Sequence, residues 1–363
     1  MRYKAKLPLY TFLTNSSLDL IYSTMPSLVS PVQRFDCASR IPAAVFDILR
    51  ANAARANVIL PHAEKVFGMQ KFTGKFSNEQ LWLVYSRPGT SIIQFVLSCT
   101  EGQIGTYPIF IVPTVPLREL TPELLELSMK AFCDALLKEP GFRKQRVYSI
   151  FSVDVVAKAF AGAWERLTEI NRIEAPYYDA TFTMCSKDTL VYTSPPPPDG
   201  LDLEMRPAME KDAQDVALLC QEFAETSPPF SLSLEKASEE ADLLIKNHQV
   251  WVLEITTNGE SEIASIVAVT RKSSGIAAIT KVYTPENWRR KFRCAERLVR
   301  RVCRELLKTH EQVVLYVGVG NPAAKVYDRV GFQGLTEGSP AVGGVEHWLE
   351  IGFDQAKVDL GHW

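Results

Sequence analysis

Four consecutive prolines, Pro195 to Pro198, set the first limit on what this chain can become. Proline has no N–H for a sheet ladder and its ring blocks a helical turn, so four in a row form a stiff extended spacer. With Ser194 before them and Asp199-Gly200 after, they make a linker over 194–200. The linker divides the 363 residues into stretches 25–193 and 201–363, each the size of an ordinary domain. Residues 1–24 read as a disordered leader. They carry Arg2, Lys4 and Lys6, but Pro8 and Thr11 interrupt the apolar run that a signal peptide needs.

Composition narrows the class. Hydrophobic residues make up 46% and charged residues 23%, the balance of a globular protein. A net charge of −2 gives no overall pull toward nucleic acid or membrane, so such a partner would need a local patch. No apolar run reaches the ~18 residues of a membrane span. The seven cysteines are odd in number and form no CxxC pair, which predicts reduced, mostly buried thiols. The expectation is a cytoplasmic protein with no metal site and neither nucleic-acid nor membrane partners; its oligomeric state stays open.

Hydrophobic periodicity supplies the elements. In the second stretch a strand over 203–207 precedes helices over 208–226 and 234–247. Strands over 249–256 and 262–270 follow, joined by a turn containing Asn258-Gly259. A third strand covers 275–283. The helix over 293–310 lines up Leu298, Val299, Val302, Cys303, Leu306 and Leu307 on one face. A strand over 312–317 leads to a short helix over 322–330, with Pro322 in its first turn and Gly331 as its left-handed cap. A last strand covers 347–353. The first stretch gives helices over 41–57 and 60–67, and strands over 80–86, 91–99 and 107–112. A helix then starts at Thr121-Pro122-Glu123 and runs to about residue 138, followed by a strand over 146–153, a helix over 155–172 and a strand over 178–185. Each stretch ends as three strands, helix, strand, helix, strand. The repeat lies in element order alone and predicts an α/β (α+β) protein of two similar domains, each a mixed central sheet flanked by helices.

Chemistry concentrates in residues 277–332. Between positions 289 and 304 stand eight basic residues (289, 290, 291, 293, 297, 300, 301 and 304) against one acid, Glu296. A helix start carries free N–H groups and partial positive charge, and cations in the preceding loop add charge-assisted bonds to phosphate. The loop members Arg289, Arg290, Lys291 and Arg293 read as phosphate contacts. The helix members Arg297, Arg300, Arg301 and Arg304 read as a solvated face. A nucleic-acid surface would need more aromatic side chains than Trp288 and Phe292. Asn321 suits an N-cap before Pro322, and Tyr327 is either a core aromatic beneath strand 313–317 or a site residue.

The strand 277–284, the arginine-rich loop, the helix with Ala295 and Leu298-Val299, and Asn321-Pro322-Ala323-Ala324 with Tyr327 and Gly331-Phe332 come in a telling order. In that order residues 203–353 resemble the GNAT superfamily of acetyl-CoA-dependent N-acetyltransferases. The resemblance implies a splayed strand pair in the second domain that admits the pantetheine arm. Thr280, Lys281, Val282 and Tyr283 would face that arm through their backbone. Arg289, Arg290, Lys291, Phe292, Arg293, Cys294 and Ala295 would wrap the pyrophosphate. Asn321 and Ala324 would bind the arm, and Tyr327 would protonate the departing thiolate. The loop departs from the family's Arg/Gln-x-x-Gly-x-Gly/Ala pattern, because Arg293 replaces the central glycine in Arg290-Lys291-Phe292-Arg293-Cys294-Ala295. The implied activity is transfer of acetyl from acetyl-CoA, as cosubstrate, to a primary amine of a small molecule or peptide by direct attack in a ternary complex. The alternative is an impaired CoA-binding or scaffold protein. Glu254, Glu262 and His347 are the candidate bases. In the first stretch, residues 113–120 hold no glycine and one arginine, which implies a degenerate copy that walls the acceptor cleft.

Overall fold

A computed structural model describes residues 30–73, 80–194, 196, 200–336, 338 and 340–361; the 1–24 leader and linker residues 195 and 197–199 lie outside these described residues. The first half runs β1 (Val32–Phe35), α1 (Ala43–Ala51), α2 (Leu60–Thr73), β2 (Leu81–Ser86), β3 (Ile93–Cys99), β4 (Ile109–Pro113), α3 (Pro122–Leu137), β5 (Ser149–Val153), α4 (Asp154–Thr168) and β6 (Tyr178–Ser186). The second half runs β7 (Asp202–Pro207), α5 (Ala213–Glu225), α6 (Leu234–Lys246), β8 (Val250–Thr257), β9 (Glu260–Ala268), β10 (Arg271–Ser273), β11 (Ile276–Ala278), β12 (Lys281–Tyr283), α7 (Cys294–Leu306), β13 (Gln312–Gly318), α8 (Ala323–Val330) and β14 (Glu346–Gly352). Both halves thus open with a strand and two helices, and both close with helix, strand, helix, strand. The opening strand β1 is not visible in the sequence pattern, because its four residues carry no apolar alternation.

Local chemistry explains the joints. Between β8 and β9, Asn258 and Gly259 both take positive φ, 54° and 86°, as a tight hairpin of right-twisted strands requires. At the C-terminal end of α8, Gly331 has φ 118°, and a Cβ there would sit 2.1 Å from the Thr189 carbonyl oxygen. Only glycine fits. Along α7 the expected stripe is realised: Leu298, Val299, Val302, Cys303 and Leu306 are buried against β8, β9 and β13. Each such side chain contributes about 1.5–3 kcal/mol of burial free energy. All seven cysteines are free thiols in the interior.

The strands form a ten-stranded sheet, ordered β1-β2-β3-β4-β5-β14-β6-β13-β11-β10, and a four-stranded sheet, ordered β12-β9-β8-β7. The sequence predicts one central sheet per half; the structure joins them. β14, from the second half, lies antiparallel between β5 and β6 of the first, with Trp348 opposite both Val153 and Ala180. β6 in turn pairs with β13 along its length, with Phe182 opposite Tyr316. The physical reason is burial. Residues 348–352 are buried throughout, and a strand without a wet face needs a neighbour on each edge. Trp348 is sealed among Phe151, Tyr316 and Phe182, at ring-centroid distances of 5.0, 5.2 and 6.1 Å. One hydrophobic core therefore contains residues of both halves. No helix among the described residues is long and apolar enough to cross a membrane.

Candidate functional site

The expected strand 277–284 is two strands that change partners. β11 pairs in parallel with β13, Ala278 opposite Val314, and the Ile279 N–H still reaches the Val314 carbonyl at 2.9 Å. The Thr280 N–H instead donates to the Ala268 carbonyl (2.9 Å), and β12 pairs with β9 alone. β12 is consequently an edge strand, splayed from β13, with one side unpaired. Its side chains are fixed from the paired side. Lys281 lies 2.8 and 2.9 Å from the two Glu240 carboxylate oxygens and 5.1 Å over the Phe223 ring. Val282 packs toward the α7 core. The Tyr283 carbonyl accepts from the Ser265 hydroxyl at 2.9 Å, and the Thr280 hydroxyl accepts from Thr270 at 3.0 Å.

The loop after β12 has an unusual backbone. Arg290, Phe292 and Arg293 are all left-handed, with φ of 62°, 50° and 55°. Glycine enters this region freely, whereas a residue with a Cβ loses roughly 1–3 kcal/mol there. Arg293 is the N-cap of α7 and its side chain caps nothing. The Lys291 N–H reaches the Trp288 carbonyl (3.2 Å) and the Cys294 N–H reaches the Lys291 carbonyl (3.4 Å). The N–H groups of Phe292, Arg293, Ala295 and Glu296 have no partner among the described residues. Four open donors and the positive end of α7 therefore share one surface.

The cations around that surface differ. Arg290 is exposed without an ion-pair partner among the described residues. Arg293 extends into solvent and comes 3.6 Å from Glu296. Lys291 lies 5.9 Å over the Trp288 ring. Arg289 is tied back, donating to the Thr284 carbonyl (3.0 Å) and the Tyr283 hydroxyl (3.3 Å). Cys294 turns inward, and burial pushes its thiol up to about 11.

The helix arginines overturn the solvated-face expectation, except Arg301, which is exposed and pairs with Glu305 at 3.2 Å. Arg297 and Arg300 are only 6% and 3% exposed. Arg297 donates to the carbonyls of Phe292 and Pro196, each at 2.7 Å. Arg300 donates to Glu296 (3.0 Å), the Arg329 carbonyl (2.9 Å) and the Ser194 hydroxyl (3.3 Å). Arg304 donates to the Tyr192 carbonyl. The cause is remote in sequence: the Tyr192 and Pro196 carbonyls and the Ser194 hydroxyl lie against this face of α7. Glu296 is buried as well. Burial alone would raise its carboxyl, but Arg329 at 2.7 Å and Arg300 hold it below the usual glutamate range.

At the far end of the splay, the Asn321 side-chain oxygen accepts from the Ala323 N–H (2.9 Å), and the Ala324 N–H donates to the Asn321 carbonyl (3.0 Å). Asn321 thus shapes the start of α8 as a capping residue does. Tyr327 is buried with its ring edge-on to Phe332 (5.9 Å, 64°). Its hydroxyl has no hydrogen-bond partner among the described residues, and burial pushes its phenol well above the usual value. Tyr178 stands beside this end and escapes sequence reasoning. It belongs to the exchanged strand β6, and its ring lies 3.5 Å from where a Cβ on Gly318 would be. No local signal connects Tyr178 to β13, because the pairing spans the two halves.

The three candidate bases are engaged. Glu254 pairs with Arg206 and Lys211, and its hydrogen bond with Arg206 holds it below the usual range. Glu262 accepts from Asn287 at 2.8 Å, and His347 lies 2.7 Å from Asp179.

No protein-family model and no curated protein matches the sequence. Solved structures do match the fold. A Drosophila protein is 12% identical, covering 89% of this chain and 98% of that one, with a TM-score of 0.58. A tandem GNAT protein from the clavulanic acid biosynthesis pathway is 13% identical over 88% of this chain and 97% of that one (TM-score 0.52). A GCN5-related N-acetyltransferase from Sphaerobacter thermophilus is 15% identical over 92% and 98% (TM-score 0.50). The chain has the GNAT fold, with a mixed sheet flanked by helices.

Proposed function

We propose that the second half binds acetyl-CoA and transfers its acetyl group to a primary amine of a small molecule or peptide. The observation that carries this reading is the change of partner at Ile279–Thr280. It leaves the unpaired edge of β12 running toward the four open N–H groups at the start of α7. A pantetheine arm carries amides that pair with a strand edge, and a pyrophosphate suits free N–H groups beside Arg290, Lys291 and Arg293. The GNAT fold of the similar structures supports the same chemistry in general.

In this reading the backbone of Thr280–Tyr283 and the Asn321 side chain orient the arm, and residues 289–295 hold the phosphates. The amine nitrogen attacks the thioester carbon, the carbon–sulfur bond breaks, and Tyr327 gives its proton to the departing thiolate. A phenol held neutral by burial keeps that proton across the physiological range. None of Glu254, Glu262 and His347 is a free base, so the amine arrives neutral, and the proton it loses after attack returns through water to the Tyr327 phenolate. The first half, through Tyr178 and through Tyr148 and Tyr177 against Phe230 of the α5–α6 loop, walls the acceptor side.

Thermal unfolding with millimolar CoA and acetyl-CoA tests the first step, and thiol release against a panel of amines tests the second. Both ligands should raise the melting temperature. The Tyr327→Phe variant should keep its CoA affinity and lose about 100-fold in turnover. Absence of any shift refutes cofactor binding. A shift without thiol release favours a CoA-binding protein without turnover, a reading supported by the three left-handed residues that replace glycine geometry in the loop.

A further inference from the structure

We propose that Arg297 is the positioning residue of the phosphate loop and that the Pro196 carbonyl is its anchor. The inference rests on the cofactor reading above and explains how a loop without glycine keeps a glycine-like shape. Arg297 lies one helical turn beyond the left-handed cap, and its own N–H bonds the Arg293 carbonyl at 3.0 Å. Its side chain folds back along α7. Nε donates to the Phe292 carbonyl at 2.7 Å, and a terminal nitrogen donates to the Pro196 carbonyl at 2.7 Å.

The peptide plane gives these two bonds their consequence. In a trans peptide the carbonyl and the following N–H point in opposite directions. Holding the Phe292 carbonyl inward on Arg297 therefore turns the Arg293 N–H outward, where it is one of the four open donors. Left-handed φ at Phe292 and Arg293 is the backbone cost of that peptide orientation. Glycine would allow it at little cost; here a charge-assisted hydrogen bond at a side chain only 6% exposed offsets it. The second bond fixes Arg297 itself. Proline restricts its own backbone, so the Pro196 carbonyl is a firm acceptor and its position sets where the guanidinium sits. Arg300 and Arg304, on the Ser194 hydroxyl and the Tyr192 carbonyl, hold the same passage from the next turns of the helix. Pro196, between the halves, thus shapes the cofactor site of the second.

The test compares wild type, Arg297→Lys and Arg297→Met by calorimetry with CoA and with pantetheine, which lacks the pyrophosphate. Backbone chemical shifts of Phe292 and Arg293 are read in the ligand-free protein. The Met variant should lose at least tenfold in CoA affinity with pantetheine affinity unchanged, and both residues should leave left-handed shifts. Arg297→Lys should fall between, and Phe292→Gly added to Arg297→Met should restore most of the lost affinity. The proposal is overturned if the ligand-free shifts stay left-handed in the variants, if CoA and pantetheine weaken together, or if glycine restores nothing. If the Met variant does not fold, the Lys variant carries the same comparisons. Wild-type protein that binds neither ligand refutes the cofactor reading alone, and the shifts still decide the role of Arg297.

Discussion

The starts of α3 and α7 occupy the same place in the two halves, each opening the closing run of helix, strand, helix and strand. They are built oppositely. At α3, Thr121 is extended and its hydroxyl accepts the Leu124 N–H at 3.2 Å, Pro122 brings no N–H, and Glu123 sits in the first turn. Every feature closes that terminus or makes it unattractive to an anion. At α7, Arg293 is left-handed and caps nothing, four N–H groups stay open, and cations surround them. The strands before them differ too. β4 meets β5 only at Ile109 and Phe110, but the Ser152 hydroxyl bridges to the Ile111 carbonyl at 2.6 Å. The splay between β12 and β13 has no such bridge among the described residues. One architecture therefore contains a closed helix start and an open one, and a handful of side chains decides between them.

The largest expected effect concerns the acids in the two first turns. Glu296→Ala leaves Arg300 buried without its carboxylate and should cost about 3 kcal/mol in denaturant unfolding, whereas Glu123→Ala should change stability within error. The cost depends on pH with a definite sign. Glu296 is depressed in the folded state, so its contribution is full above the ordinary glutamate value near ~4.3 and fades as pH falls through its lower folded value. At acid pH wild type and variant should converge; equal losses at all pH values would remove the ion network from the account.

Next comes charge reversal in the loops. Arg290→Glu with Arg293→Glu should weaken CoA binding about 100-fold in calorimetry, since each charge-assisted bond is worth about 1.5–3 kcal/mol. Arg118→Glu, exposed before α3, should leave it within about twofold. Equal effects at the two ends would break the comparison.

The smallest effects should have opposite signs. Thr121→Ala removes a working cap and should lower stability by about 1 kcal/mol. Arg293→Gly relieves a left-handed residue and should raise stability by about 1 kcal/mol, because Glu296 keeps its closer pairs with Arg300 and Arg329. A loss in both variants would mean that Arg293 is not strained.

Much of this was legible in the sequence. The α7 stripe, the Asn258-Gly259 hairpin, the Thr121-Pro122-Glu123 start and the Gly331 cap are local signals, and each stands where its chemistry puts it. Periodicity identified a strand over 275–283 but could not reveal that it changes partners at Thr280, because alternation records faces and not neighbours. The arginines at 297 and 300 looked solvent-facing, since nothing nearby in the chain announces the Pro196 carbonyl and the Ser194 hydroxyl that reach them. Tyr178 was invisible as a site neighbour for the same reason. The unread part of the candidate site is the part assembled by distant chain segments.

The exchange of β6 and β14 also imposes an order of events on the newborn chain. β14 follows every other strand of the second half, yet it fills a slot between two strands of the first. During synthesis β5 and β6 therefore emerge long before the strand that separates them. Until then their edges are open to wrong partners, and pairing across so long a loop is slow. The first half is in this sense an unfinished mould, completed only by a strand made after β7–β13 and α5–α8.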